Sequence, residues 1–250
     1  MNRSFSKKPA KKAMTHYPSL SFLKKPKQDT TTVINIEMNE EDYGGEVGVL
    51  TKPLPFIAHA FEELSKILAK NNEQDLHLIP FTDACRLVSV LFNCLGIAFK
   101  FAEMEYVAKV RGLVEASKTY ETLNNILDHD VEHDTVRKPG SLSRNLRRVR
   151  QGLDLIRALF EQFLSADECS LREAASSAYA QVCAPYHTWA VRTAVFAGMY
   201  ALPSREQLLL KLNETDQSVE KEMRRYMAAS LPVIDYIDKL YISRNITLDW

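Results

Sequence analysis

RNLRRVRQGLDLIRALFEQF, residues 144 to 163, decides the fold. Counted with Leu142, the residues Leu146, Val149, Leu153, Ile156, Phe160 and Phe163 alternate spacings of four and three, the apolar seam of a long amphipathic helix. On a helical wheel Arg147, Arg150, Asp154, Arg157 and Glu161 share one flank and read as its solvated charges. Arg144 and Arg148 lie elsewhere, on a line that runs into Leu155 and Leu159. A basic pair above an apolar surface suits a ligand with an anionic head and a greasy tail. Taken from this helix alone, the pair reads more simply as two surface cations whose stems cover the edge of a core.

The chain around this helix has 250 residues, 46% of them hydrophobic, enough for one generous core. Cys85, Cys94, Cys169 and Cys183 sit in apolar or helical surroundings without Cys-x-x-Cys spacing. They read as small hydrophobes of a reduced, cytosolic protein, not as a disulfide framework or a zinc site. The longest apolar run, Leu87 to Phe99, is broken by Ser89, Asn93 and Gly96 and is too short to span a bilayer, so a soluble protein is expected.

The 32 basic and 32 acidic side chains cancel only overall. Residues 1 to 28 hold eight basic residues and no acid, leaving 24 basic against 32 acidic residues, a net of −8, in the remainder. Residues 1–50 therefore read as a disordered basic tail and 51–250 as one domain. An anchor for anionic membrane or an organellar transit peptide are the other readings of the tail, which lacks the apolar block of a secretory signal.

Beyond the tail the periodicity predicts helices over Pro55–Lys70, Phe81–Leu95, Met104–Ser117 and Tyr120 to about His129. Thr135–Ser141, with Pro139 and Gly140, reads as the loop that enters the organising helix. Alanine-rich Leu171 to about Tyr200 is expected to kink or restart at Pro185, and Ser204 with Gln207 forms a capping box for Arg205–Leu212. Asp216–Ala229 and Pro232 to about Ser243 complete an all-α chain of about eight helices.

Little chemistry stands out residue by residue. Glu105 and Lys109 are spaced for a helix ion pair, and His187 between Tyr186 and Trp189 fits a hydrogen-bonded core histidine. His129, Glu132 and His133 match a short zinc-peptidase pattern, but in an acid-crowded segment running into a Pro-Gly loop they read as a solvated helix end. There is no Gly-x-Ser-x-Gly and no phosphate-cradling glycine loop; with eight glycines in all, anion binding falls to side chains.

Four stretches taken together carry a resemblance. FKFAEMEYVAKV (99–110), RNLRRV (144–149), PYHTWAVR (185–192) and GMYALPSR (198–205) resemble the glycolipid transfer protein superfamily, specifically its ceramide-1-phosphate branch and plant accelerated-cell-death subgroup, over about residues 55 to 244. The resemblance implies a two-layer helical sandwich enclosing an apolar lipid pocket beneath a surface site that reads the head group. It implies that Lys109, Arg144 and Arg148 hold a phosphate, to which arginine's planar fork is matched, and that His187 and Glu105 bind the ceramide amide. Glycolipid-binding relatives carry a sugar-stacking tryptophan where this chain has Arg148, which favours phosphate over sugar. The usual Asp is here Glu105, one methylene longer, so reduced affinity or altered preference is expected of that contact.

A ceramide chain pair of about 30 methylenes gains roughly 24 kcal/mol on burial, but a bilayer offers the same. Selectivity then rests on a few charge-assisted bonds of roughly 1.5 to 3 kcal/mol each. Trp189 has two readings: internal packing, or an interfacial ring at the membrane. The resulting expectation is a non-enzymatic carrier of ceramide 1-phosphate without cofactor, metal or nucleic acid. It would be monomeric, cytoplasmic and transiently bound at membranes, with the tail available for protein partners. The alternatives are a sphingolipid sensor with little transfer and, more remotely, a lipid hydrolase.

Overall fold

The computed structural model describes residues 52–70, 75–165 and 170–250; the basic tail and Cys169 lie outside them. Among the described residues there are nine α-helices and no strand, with one isolated bridge between His77 and Thr122. No helix among these residues is long and apolar enough to cross a membrane.

Helices α1 (Pro53–Lys70), α2 (Leu78–Cys94) and α9 (Asp216–Ile242) pack side by side, α1 in the middle. Helices α3 (Lys100–Ala116), α5 (Leu142–Ser165) and α6 (Leu171–Val182) form the facing layer with α5 central. The organising helix thus occupies the middle of its layer and also packs against α9. Its apolar seam is buried as the spacing predicts: Leu146, Val149, Leu153 and Ile156 have no exposure. Tyr226 of α9 joins the layers, its hydroxyl donating to the Leu153 carbonyl at 3.1 Å and its ring meeting Phe61 and Phe160 edge-on.

Short helices close the sandwich. α4 (Leu123–Glu132) starts at a capping box made by Thr122 and Asn125, three residues later than the apolar pattern implies. α8 (Arg205–Leu212) has the bounds and the Ser204–Gln207 box read from sequence. Around Pro185 the chain does more than kink: α6 ends at Val182, Ala184–Tyr186 form a 3-10 turn, and α7 (Trp189–Gly198) starts again behind a Thr188 cap.

Two expectations need correction. The last two predicted helices are one, because Pro232 sits inside α9. Proline removes the donor to the Ala228 carbonyl, but Ala228 and Pro232 are both exposed, on the side of the helix where solvent can take the place of that donor. The buried face holds the helix together across the gap, through Met223 and Tyr226 on one side and Val233, Ile234 and Ile237 on the other.

Nor are most of the wheel's charges solvated. Arg150 forms a fork with Asp238 of α9 and bonds Asp154 at 2.7 Å, and Arg157 reaches Asp154 and Glu161. Arg147 is buried, donating through Nη2 to the Leu248 carbonyl at 2.8 Å with its guanidinium 5.6 Å above the Tyr186 ring. Only Glu161 of the five is well exposed. A wheel reports one helix; α9 and the segment after it cover this flank.

Candidate functional site

α3 and α5 cross at two glycines. A Cβ on Gly152 would lie 2.6 Å from the Tyr106 ring, and one on Gly112 would lie 2.6 Å from Asn145 Nδ2. These contacts fix an antiparallel register in which Lys109, midway between Tyr106 and Gly112, lies level with the turn of α5 carrying Arg148. Glu105, one turn before Lys109, pairs with it at 3.6 Å. The expected i,i+4 pair is therefore present.

Arg144 Nη1 donates to the Arg137 carbonyl at 2.7 Å. Arg148 Nη1 donates to Gln151 Oε1 at 2.9 Å, and Gln151 Nε2 donates to the Val182 carbonyl at 3.0 Å, tying the guanidinium to the end of α6. Among the described residues neither Arg144 nor Arg148 has a carboxylate partner, whereas Arg150 and Arg157 on the same helix do. Burial, and then the Arg144 and Arg147 charges, hold Arg148 below the usual arginine range. An anion arriving here relieves that repulsion.

His187 emerges from the 3-10 turn that Pro185 begins. Its Nδ1 lies 2.9 Å from the Tyr179 hydroxyl, and its carbonyl accepts from Arg192 Nε at 2.9 Å. Burial first, then the Arg148 and Arg192 cations, push its pKa below the ordinary imidazole value. His187 and Arg148 thus share one electrostatic neighbourhood, although 39 positions separate them in the chain. Sequence reasoning missed the residues that hold this pair: Gln151, whose only signal is its place one turn after Arg148, and Tyr179, which carries none.

Trp189 is not packed internally; it is 80% exposed. α7 buries none of its residues, and Val191, Phe196 and Tyr200 are exposed beside it. This surface adjoins the turn preceding α3, where Ile97 faces outward, as do Phe101 and Met104 in the first turns of α3. Between the layers, below the arginines, lies a cavity of about 10 Å³, room for one water, walled by Leu91, Ile156, Leu159, Phe160, Phe163 and Met223. At this point the apolar interior is a nearly closed seam. The His129–Glu132–His133 segment ends α4 as a ring stack, with centroids 4.3 Å apart and His133 Nδ1 2.7 Å from the His129 carbonyl oxygen.

A two-layer all-α fold with paired arginines over an apolar seam defines a lipid-binding class, and the glycolipid transfer protein (GLTP) family model matches residues 76–214. The chain belongs to that family. It is 65% identical over 225 residues to an ACD11 homolog protein of Arabidopsis thaliana, covering 86% of this chain and 98% of the relative. A mutant of Arabidopsis accelerated-cell-death 11, complexed with C12 ceramide-1-phosphate, is similar in structure with a TM-score of 0.77 at 48% identity, covering 80% of this chain and 98% of that one. The ceramide-1-phosphate transfer protein of Mus musculus is 27% identical over 175 residues, 62% of this chain and 78% of the relative.

Proposed function

We propose that this protein is a non-enzymatic carrier that moves ceramide 1-phosphate, or a close phosphosphingolipid, between membranes. The observation that carries the reading is the contrast along α5: Arg150 and Arg157 are paired with carboxylates, while Arg144 and Arg148 are not. Two guanidiniums without matched acids suit a phosphate dianion, to which each can present a fork, and Lys109, paired only with Glu105, is the third cation. The ceramide-1-phosphate bound by the Arabidopsis relative, and the transfer activity in the mouse relative's name, support the same ligand.

In this reading Lys109, Arg144 and Arg148 hold the phosphate, while Glu105 accepts from the amide N–H and His187 donates to the amide carbonyl. The acyl chains enter the seam and separate its walls, gaining from burial about what they lose on leaving a bilayer. The exposed face of α7, led by Trp189, rests on the membrane while the lipid crosses.

The test is transfer of fluorescent ceramide 1-phosphate and of glucosylceramide between vesicles by wild type and Arg148→Leu. Selective transfer of the phosphate lipid, lost in the variant while helix content is kept, is expected. Equal transfer by the variant overturns the head-group assignment; binding without turnover makes the protein a sensor.

A further inference from the structure

Tyr179 lies on the buried face of α6 with Ala175, Ala178 and Val182, its ring 5.6 Å from Phe196 of α7 in an edge-on contact. Eight residues later the 3-10 turn brings His187 back over it, ring centroids 5.6 Å apart. Packing fixes the phenol ring, so its hydroxyl meets the imidazole at one nitrogen, Nδ1, at 2.9 Å.

A neutral imidazole has one donor and one acceptor nitrogen, and the partner of one decides the role of the other. Burial raises the Tyr179 pKa, so the phenol keeps its proton. Burial and two nearby guanidiniums keep the His187 ring neutral. If Nδ1 carried the proton, the phenol proton would need another acceptor, and none is found among the described residues. With the phenol donating, Nδ1 is the acceptor and the ring proton resides on Nε2.

We propose that Tyr179 is a positioning residue that sets the tautomer of His187, so that Nε2–H is the donor presented to the head-group region. The site then selects an acceptor oxygen, a carbonyl or a phosphoryl, at this point and disfavours a hydrogen-bond donor. The functional part of this inference rests on the ligand role given to His187 above; the tautomer itself does not.

The experiment uses the full chain labelled with ¹⁵N-histidine, at a pH where imidazoles are neutral, with His187 assigned by its disappearance in His187→Gln. Two-bond ¹H–¹⁵N correlations are expected to show the Nε2–H form in wild type and a mixture of tautomers in Tyr179→Phe, which keeps the ring and its packing. An Nδ1–H wild type, or an unchanged tautomer in the variant, overturns the proposal; the wild-type spectrum alone decides if the variant does not fold. Binding of short-chain ceramide 1-phosphate, measured alongside, is expected to weaken about five-fold in Tyr179→Phe, the worth of one neutral hydrogen bond. A shifted tautomer with unchanged binding in both Tyr179→Phe and His187→Gln supports the positioning role and refutes the ligand role of His187.

Discussion

The α-carbon of Gly152 sits against the ring of Tyr106, so close that a single added carbon would lie 2.6 Å from it. Tyr106 is buried and donates to the Cys85 carbonyl of α2 at 3.1 Å, so its ring has little freedom to withdraw. Gly152→Ala is expected to destabilise the protein by about 1–3 kcal/mol, the cost of overpacking. Denaturant unfolding measures this, and an unchanged midpoint would show that α3 and α5 slide freely at this crossing.

Glu105 is spent on Lys109 across 3.6 Å, with both side chains partly exposed. Aspartate at this position reaches Lys109 less easily and leaves that cation freer for phosphate. Glu105→Asp is expected to retain or raise ceramide-1-phosphate transfer in the vesicle assay. A large loss would mean that the site has been rebuilt around the longer acid.

Removing the ring of Trp189 takes away no internal contact surface to speak of, since the side chain is 80% exposed. Trp189→Ala should therefore leave stability within about 0.5 kcal/mol of wild type. Vesicle sedimentation and transfer should both fall, because an amphipathic ring is lost from the interface. Unaltered sedimentation would remove α7 from the membrane-facing role.

The lowered pKa of His187 makes a pH signature. The native state takes up this proton less readily than the unfolded chain, so as pH drops through the ordinary imidazole range the unfolded state gains protons first. Stability from this group is present above that range and lost below it. Thermal unfolding of His187→Gln should show a shallower fall in Tm from neutral to mildly acidic pH than wild type; parallel curves would assign the acid sensitivity elsewhere.

Local rules made much of this molecule legible. Spacing along Leu146, Val149, Leu153 and Ile156 identified the central helix and its buried face, and Ser204 with Gln207 marked the start of α8 to the residue. Failures arose where a distant segment decides the outcome. Arg150 looked solvated because Asp238, its partner, is 88 positions away. Pro232 looked like the start of a separate helix because its exposed placement depends on how α9 lies against α1 and α5. At the site, the residue types expected to meet a head group were readable from motifs. Their supports were not, since nothing in the sequence near Tyr179 or Gln151 announces a bond to a residue on another element.

Pro232 gives α9 a mechanical character that its unbroken outline conceals. A helix lacking one rung bends most readily at that rung. Met223, on the N-terminal side, helps wall the seam, whereas Asp238 and Tyr241, on the C-terminal side, are fastened to the opening turns of α5 through Arg150 and the Ser143 carbonyl. The compliant point falls between the two, so a bend there changes the angle between the half that walls the seam, itself tied to α5 by Tyr226, and the half that anchors the opening turns of the arginine helix.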